Sequence, residues 1–353
     1  MDNVVDARIE SLMNSDPSPA ATAEPLLAVE GLTIDLTGDV AQPGLISDVS
    51  FTVARGESVA LIGESGCGKT MTAMAILGLL PRGFVVSAGQ IRVEGRDLLT
   101  SGRRGLRETR GRTIGAVFQE PMSSLNPTMR VGDQIAEARR LHLGESRRTA
   151  LVRAVELLDR VGIADAGRRV RSYPHELSGG MQQRVMIASA IACDPSIVLA
   201  DEPTTALDVT IQAEILELLR ELRTEQGIAV LLVTHDLGVV ADFCDRVVAM
   251  YAGTVVERAG VDELFASPAH PYTRALLDAV PQTSDPRTIL PIIRGRVPAA
   301  GAFPTGCRFE PRCVHGGDER CHAPQRETSM VGRRSVRCAR AADGESVAVP
   351  AVV

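Results

Sequence analysis

The sequence predicts an α/β fold in which helices cover a mainly parallel sheet, and three observations predict it. Short apolar segments, each with the length of a buried strand, alternate with segments whose apolar residues have helical spacing. One strand segment, Ser58–Ile62, runs directly into a glycine-rich loop at residues 63–70. A helical pattern at residues 71–80 follows this loop and stops at Pro81. Strand–helix–strand alternation of this kind is typical of parallel sheets.

The composition of the 353 residues fits a folded protein with an aliphatic core. Hydrophobic residues make up 44% of the chain, whereas aromatic residues make up 3% and Trp is absent. The net charge of -6 argues against a nucleic-acid partner, because phosphate neutralisation needs clustered Lys and Arg. The sequence has no apolar run of about 18 residues that suggests a membrane span, and the acidic N-terminus lacks the pattern of a secretory signal. We therefore expect a cytosolic chain whose contact with a membrane comes through a partner.

Changes in composition divide the chain into three parts. Residues 1–25 are rich in Ser, Pro, Ala and Asp and are predicted to be a disordered leader. Residues 26–260 carry the α/β pattern, with a predicted helical subdomain at about residues 121–178. Residues 261–353 shift to Pro, Arg, Cys and His and are predicted to form a C-terminal extension. The expected strands are residues 26–29, 32–36, 51–53, 58–62, 90–93, 197–200 and 229–234, and the expected helices include 181–192 and 211–225.

The glycine-rich loop fits the pattern G-x-x-x-x-G-K-[ST] at every position. Glycines allow backbone N–H groups to wrap phosphates, and the following helix presents its positive N-terminus to them. Lys69 is predicted to contact the β- and γ-phosphates, and Thr70 to bind Mg²⁺. Lys69 is the only lysine in the chain, which indicates a position where a compact ammonium is needed. The candidate nucleotide-binding residues are Gly63, Glu64, Ser65, Gly66, Cys67, Gly68, Lys69 and Thr70.

A second element of a phosphate site is an apolar strand that ends in two carboxylates, Asp201 and Glu202. A buried strand seldom ends in this way unless the charges meet a cation. Asp201 is suited to hold Mg²⁺, directly or through water, and Glu202 is suited to polarise the water that attacks the γ-phosphate. The two elements together predict a nucleoside triphosphatase that uses Mg²⁺.

Residues 177–184, L-S-G-G-M-Q-Q-R, narrow this prediction. This signature segment resembles the LSGGQ signature of the ATP-binding cassette (ABC) ATPases, with Met181 in place of the usual first Gln. The resemblance implies the P-loop NTPase fold of an ABC nucleotide-binding domain, with a mixed sheet core and a helical subdomain. It also implies that hydrolysis needs two such domains, since the signature segment contacts the γ-phosphate held by the opposite subunit. The residues implied in this contact are Ser178, Gly179, Gly180 and Gln182.

The remaining markers of the family follow in the expected order. Gln119 matches the glutamine that contacts Mg²⁺ and senses the membrane partner, and His235 matches the histidine that contacts the γ-phosphate. Residues 206–208, A-L-D, match the D-loop and place Asp208 in it. One position departs from the family, since Leu36 stands where an aromatic residue usually stacks on adenine. ATP is the expected nucleotide, and this departure leaves the preference for ATP over GTP open.

Three further segments resemble one branch of the family, the importers of oligopeptides and dipeptides, which also includes nickel importers. They are residues 120–127 (E-P-M-S-S-L-N-P), 208–212 (D-V-T-I-Q) and 270–277 (H-P-Y-T-R-A-L-L). The branch implies a peripheral ATPase on the cytoplasmic face of the membrane that powers peptide uptake. The implied partners are a second ABC ATPase subunit, expected to be a distinct homologous chain, two transmembrane permeases and an extracytoplasmic substrate-binding protein. The alternatives are import of nickel or another small solute, a soluble ABC ATPase without permeases, and a non-catalytic regulator.

Four of the seven cysteines lie in the C-terminal extension. Disulfides are rare in cytosolic proteins, and four thiolates in a segment with little core-forming sequence indicate a metal-organised fold. Four Cys ligands suit either a [4Fe–4S] cluster or structural Zn²⁺. The resemblance to the peptide-importer C-terminal region favours iron–sulfur, with Zn²⁺ and free thiols as the alternatives. These residues, called the cysteine quartet below, are Cys307, Cys313, Cys321 and Cys338.

Overall fold

The computed structural model describes residues 24–38, 41–205, 208–280 and 292–345. Most of the predicted leader, residues 1–23, lies outside the described residues, as do residues 206 and 207 of the predicted D-loop. The strands are β1 (Leu27–Leu36), β2 (Gln42–Val53), β3 (Ser58–Ile62), β4 (Phe84–Val93), β5 (Arg96–Asp97), β6 (Ile114–Val117), β7 (Ile197–Asp201), β8 (Ala229–Val233), β9 (Arg246–Tyr251), β10 (Thr254–Gly260), β11 (Thr328–Ser329) and β12 (Ser335–Val336). The α-helices are α1 (Lys69–Ile76), α2 (Gly102–Thr109), α3 (Pro121–Ser124), α4 (Val131–Leu143), α5 (Arg147–Arg160), α6 (Ala166–Arg169), α7 (Gly179–Ala190), α8 (Val209–Gln226), α9 (Leu237–Phe243), α10 (Val261–Ala266), α11 (Pro271–Asp278) and α12 (Ala339–Ala342).

An eight-stranded sheet in the order β11-β12-β10-β9-β3-β8-β7-β6 forms the centre of the molecule. Strands β6, β7, β8, β3 and β9 run parallel, whereas β10 and β12 run antiparallel to their neighbours. Every residue of β3, β7 and β8 is buried, as is usual when both faces of a parallel sheet are covered. The predicted α/β fold class is confirmed, and the sheet is mixed, as the family resemblance implies.

A second, antiparallel sheet has four strands in the order β2-β1-β4-β5. The sequence predicts only the final residues of β2 and β4, whereas both strands are longer and pair along β1. Residues such as Gly44 and Gly89 interrupt the apolar alternation in the outer parts of these strands, which hides them from a pattern search. Helix α1 also ends earlier than predicted, because Gly78 takes a left-handed conformation with a φ of 62°.

Helices α3 to α6 and a 3-10 turn at Pro174–Glu176 occupy the predicted helical subdomain. Ser146 accepts a hydrogen bond from the N–H of Thr149 at the start of α5, a typical N-cap. The apolar faces of α4, α5 and α7 meet in the core through residues such as Ile135, Leu158 and Val185. The limits of the subdomain as a unit stay a prediction. Within the described ranges, no helix is both long and apolar enough to cross a membrane.

The chain beyond residue 260 packs on the α/β core. Strand β12 pairs with β10 and so extends the central sheet. The carboxylate of Glu257 on β10 is 0% exposed and lies 2.9 Å from the guanidinium of Arg334. The same carboxylate accepts a hydrogen bond from the N–H of His270 at 2.9 Å. The predicted boundary coincides with the end of β10, and the division into separate domains there stays a prediction.

Candidate active site

The glycine-rich loop joins β3 to α1. Gly63 has a φ of 147°, and a Cβ atom there would lie 2.2 Å from the carbonyl oxygen of Met250. Gly68 has a φ of 106°, and a Cβ atom there would lie 2.2 Å from Cδ1 of Ile46. Conformation and space together exclude a side chain at Gly63, and the positive φ disfavours one at Gly68, where the Ile46 side chain can move. Between them the loop exposes its backbone around Ser65, next to a helix N-terminus, an arrangement that binds phosphate groups.

Lys69 is the first residue of α1 and is 6% exposed. Its ammonium donates hydrogen bonds to the carbonyl oxygens of Gly63 at 2.7 Å and of Glu64 at 3.2 Å. The positive charge therefore lies within the loop, where the motif predicts phosphate contacts. Cys67 in the same loop is fully buried, and burial raises the pKa of its thiol.

Asp201 ends β7 and is 4% exposed. Its Oδ1 has no hydrogen-bond partner among the described residues. Burial raises the pKa of Asp201, whereas the nearby side chain of Thr70 lowers it. A buried carboxylate oxygen without a partner is costly unless a cation faces it. Carboxylate and hydroxyl oxygens are ligands that Mg²⁺ accepts, so Asp201 and Thr70 fit the predicted metal.

Glu202 lies at the centre of three residues predicted to act together. Nε2 of Gln119 donates to Oε2 of Glu202 at 2.8 Å, and Nδ1 of His235 lies 3.0 Å from Oε1. The hydroxyl of Thr205, a residue that the sequence analysis missed, also donates to Oε2, at 2.9 Å. Glu202 has a φ of 47°, a costly conformation for a residue with a Cβ atom and one that clusters at functional sites. Its N–H donates to the carbonyl of Val233 on β8 at 2.8 Å, which holds this conformation in place.

The signature segment begins helix α7. Ser178 caps the helix, and its Oγ accepts a hydrogen bond from the N–H of Met181 at 3.4 Å. The space beside Gly179 is open, whereas a Cβ atom at Gly180 would lie 2.9 Å from Cγ2 of Ile211. The first residues of α7 therefore form a partly exposed helix N-terminus, which suits an anion.

Gln182 lies inside the chain, behind the signature segment. It is 5% exposed, and its Nε2 donates to the carbonyl oxygens of Pro174 at 2.9 Å and Leu177 at 3.1 Å. These bonds hold the turn that precedes the signature segment. Gln182 therefore supports the segment from within the chain through its amide donor, and its contact with a nucleotide held by a second subunit stays a prediction.

Two other predicted positions lie at the ends of secondary-structure elements. Asp208 caps helix α8, and its Oδ1 accepts a hydrogen bond from the N–H of Ile211 at 2.9 Å. Leu36 is half-buried at the end of β1 and pairs with Phe84 on β4. An aliphatic side chain thus stands at the position predicted to meet the base.

The backbone joins two members of the cysteine quartet. All seven cysteines of the chain, each among the described residues, are free thiols. The N–H of Cys307 donates to the carbonyl of Cys321 at 2.8 Å. Burial and, after it, the nearby thiols of Cys321, Cys338 and Cys313 raise the pKa of Cys307 to about 12. Yet no group of three or more Cys, His, Asp or Glu side chains in the described parts is arranged to hold a metal ion.

The sequence analysis also missed an ion pair at the loop. The guanidinium of Arg312 donates to both carboxylate oxygens of Glu64, at 2.6 Å and 3.1 Å. The N–H of Glu64 donates to the hydroxyl of Tyr272 at 2.8 Å. Because Arg312 and Glu64 are 248 positions apart, no spacing pattern connects them. Glu64 itself was the available signal in the sequence. A carboxylate in a phosphate-binding loop repels phosphate unless a cation faces it, so its presence predicts a cationic partner.

This combination of loop, strand-end carboxylates and signature segment on an α/β core defines an ATP-binding cassette. The comparisons with known proteins agree and narrow the class. Residues 46–205 match the family described as ABC transporter, and residues 256–321 match the oligopeptide/dipeptide transporter C-terminal region. The chain belongs to the ABC transporter family of ATP-binding proteins, in the branch that carries this C-terminal region.

Similar proteins include relatives by sequence from Brucella species and ABC cassettes of known structure. A protein of Brucella abortus (strain 2308) that carries the name peptide import ATP-binding protein is 49% identical over 314 residues, which is 89% of this chain and 94% of the relative. A protein of Brucella ovis with the same name is 48% identical over 331 residues, or 90% and 97%. The structure of cbiO1 from Clostridium perfringens, part of the ABC transporter complex cbiONQ, has a TM-score of 0.59 at 28% identity and covers 69% of this chain and 92% of its own. The cassette MJ0796, a dimer in a post-hydrolysis state bound to ADP and Pi, has a TM-score of 0.60 at 28% identity. The match covers 67% of this chain and 98% of the MJ0796 chain.

Proposed function

We propose that this chain is the ATP-hydrolysing subunit of an ABC importer and powers the uptake of oligopeptides or dipeptides through partner permeases. The observation that carries the catalytic part is the carboxylate of Glu202, bonded to Gln119 and His235 beside the buried Asp201. The match of residues 256–321 supports the peptide part, as do the names of the Brucella relatives. Import of nickel or another small solute is the alternative for the cargo.

The glycine-rich loop and the N-terminus of α1 bind the β- and γ-phosphates of ATP in this proposal. Lys69 exchanges its two loop carbonyls for phosphate oxygens, since its ammonium already lies within the loop. Thr70, Asp201 and the amide oxygen of Gln119 would hold Mg²⁺, which when bound neutralises charge on the phosphate oxygens. The unpartnered Oδ1 of Asp201 supports this ligand set.

Glu202 orients and polarises the water that attacks the γ-phosphorus. Its two oxygens are bonded to Gln119 and His235, so the carboxylate is already fixed in one direction. The attack breaks the bond between the γ-phosphorus and the oxygen that bridges to the β-phosphate, and the products are ADP and inorganic phosphate. His235 is 62% exposed, which leaves its ring accessible to the γ-phosphate.

A second ATPase subunit completes each site in this proposal. The helix N-terminus at Ser178 and Gly179 caps the γ-phosphate held by the opposite subunit, and the dimeric structure of the MJ0796 cassette supports such pairing. The second subunit is a homologous ABC ATPase, either a distinct chain or a second copy of this one. Two transmembrane permeases and an extracytoplasmic substrate-binding protein complete the importer, and they place this chain at the cytoplasmic face of the membrane.

We further propose that the cysteine quartet holds a [4Fe–4S] cluster, with structural Zn²⁺ as the alternative. Four cysteines are the usual ligands of such a cluster. The resemblance of the C-terminal extension to that of the peptide importers, and the match of residues 256–321, support the cluster over a single Zn²⁺. When bound, the cluster would organise the chain from Cys307 to Cys338 around its ligands.

Reconstitution tests the proposed function. The chain, its partner ATPase and the permeases are assembled in proteoliposomes with ATP on the side of the ATPases and the binding protein on the other. Labelled oligopeptides and Ni²⁺ are offered in separate assays. We expect accumulation of peptide that requires ATP. Accumulation of Ni²⁺ without peptide would establish the alternative cargo, and transport without ATP hydrolysis would contradict the proposal.

A further inference from the structure

The C-terminal extension contacts the glycine-rich loop through one arginine. Arg312 belongs to a 3-10 turn, Glu310–Arg312, that lies between Cys307 and Cys313 of the quartet. Nη1 of Arg312 lies 2.6 Å from Oε2 of Glu64, and Nη2 lies 3.1 Å from Oε1. A planar guanidinium that meets a carboxylate through two parallel bonds forms the strongest kind of side-chain pair.

This pair is more buried than an ordinary surface ion pair. The side chain of Arg312 is 5% exposed and that of Glu64 is 29% exposed. By comparison, the surface pair of Arg55 and Glu94 is 67% and 37% exposed. Exposed ion pairs contribute little to stability because water and salt screen the two charges. This screening is weaker for the buried guanidinium of Arg312.

Every donor group of Arg312 is in use. Its Nε donates to the carbonyl of Arg294 at 2.8 Å, and Nη2 also donates to the carbonyl of Ile293 at 3.3 Å. Nη1 makes a further bond to the hydroxyl of Tyr251 at 3.3 Å. The guanidinium is thereby fixed in direction before it meets Glu64.

Glu64 is held on its backbone as well as on its side chain. Its N–H donates to the hydroxyl of Tyr272 on α11 at 2.8 Å, and its carbonyl accepts from Lys69 at 3.2 Å. The ring of Tyr272 packs against Phe309, which lies between Cys307 and Cys313, with ring centroids 5.4 Å apart. Two residues beyond position 260 therefore hold Glu64: Tyr272 bonds its backbone, and Arg312 bonds its side chain.

The charges give this contact a functional meaning. A carboxylate in the second position of a phosphate-binding loop opposes the binding of a polyanion by Coulomb repulsion. Arg312 neutralises this charge and at the same time fixes the loop. We infer that Arg312 is a positioning residue of the nucleotide site, through which the cysteine-bearing segment sets the affinity of the glycine-rich loop for phosphate. This inference rests on the proposed nucleotide site and goes beyond it.

Equilibrium binding of MgATP to the full chain tests the inference without requiring hydrolysis or transport. The variants are Arg312→Met, Glu64→Gln and the double substitution. Arg258→Met is the matched control, because Arg258 joins β10 to the extension through Glu327, at 24% and 17% exposure, without contacting the loop.

We expect Arg312→Met to weaken MgATP binding about tenfold, because the unpaired carboxylate repels the phosphates and the loop loses its support. Glu64→Gln removes the repulsion and leaves the positive charge of Arg312 beside the loop, so it should weaken binding least. The double variant removes both charges and should lie between Glu64→Gln and Arg312→Met. Arg312→Lys keeps the charge without the two-point geometry and should lie between Arg312→Met and the wild type. Arg258→Met should bind MgATP as the wild type does.

Two results separate failure of the inference from failure of the proposed function. Wild-type affinity in a folded Arg312→Met variant, with only a lower melting temperature, would make the pair purely structural and overturn the inference alone. A wild-type chain that does not bind MgATP would overturn the proposed function and the inference with it. If Arg312→Met does not fold, Arg312→Lys decides, since its affinity must then fall below that of the wild type and of Arg258→Met.

Discussion

Nδ1 of His235 lies 3.0 Å from Oε1 of Glu202. The two residues are 33 positions apart and follow β8 and β7, which are neighbours in the central sheet. Because the carboxyl ends of parallel strands meet at the same edge, a carboxylate after one strand and a histidine after the next share a site. This contact is the structural basis of the catalytic role proposed for Glu202.

The substitution His235→Ala should lower kcat for ATP hydrolysis by about 100-fold, because Glu202 loses a partner that orients it. The KM for ATP should change little, since the phosphate-binding loop is untouched. Steady-state kinetics of the complete transporter measure both constants. His142→Ala, a change of a half-buried histidine outside the site, is the control and should leave kcat unchanged. A wild-type kcat in His235→Ala would remove His235 from the mechanism.

Lys69→Arg should weaken MgATP binding by at least about tenfold, although it conserves the charge. Lys69 is buried and its compact ammonium contacts two loop carbonyls, and a planar guanidinium differs from it in shape and in the direction of its donors. Equilibrium titration of the full chain with MgATP measures the change. Arg55→Lys, the reverse exchange at a side chain that is 67% exposed, is the control. Equal affinities in Lys69→Arg and the wild type would contradict the role assigned to the ammonium.

Leu36→Tyr should tighten the binding of both ATP and GTP by about tenfold, because an aromatic ring adds stacking that every base accepts. Leu36 is half-buried at the end of β1, where the family places an aromatic residue. Titrations with the two nucleotides compare the gains. Leu79→Tyr, at a leucine that is 39% exposed, should produce none. If Leu36→Tyr has no effect on either nucleotide, the base binds elsewhere.

Cys313→Ser should abolish an absorbance band at about 400 nm that the anaerobically purified chain is expected to show from its cluster. Absorption spectra and iron and sulfide analysis of the same samples measure the loss. Cys193→Ser removes a buried cysteine outside the quartet and should keep the band. If the wild-type protein is colourless and contains zinc, the proposed cluster is wrong and the quartet binds Zn²⁺.

The sequence predicts some buried strands with continuous apolar runs at almost full length, but it misses β9, which is also buried at every residue. Strands β3, β7 and β8 are buried at every residue and appear in the sequence at almost their full length. The longer strands β2 and β4 are exposed on one face in part, so the pattern shows only their inner ends.

The same contrast holds for the site. Glu202 and His235 each follow a predicted strand, and their meeting follows from the parallel order of those strands. Gln119 follows β6, which is absent from the expected strands. The pair of Glu64 and Arg312 depends on how the chain beyond residue 260 folds back over 248 positions, which no local pattern encodes. The burial of Gln182 likewise depends on the tertiary position of the turn at Pro174 and Leu177.

ATP hydrolysis by the complete transporter with Glu202→Gln tests the central claim most directly. The amide keeps the size of the side chain but loses the negative charge that polarises the attacking water. We expect the hydrolysis rate to fall by at least about 100-fold, while the affinity for MgATP stays within about twofold of the wild type. Hydrolysis near the wild-type rate would contradict the catalytic assignment of Glu202 and the mechanism built on it.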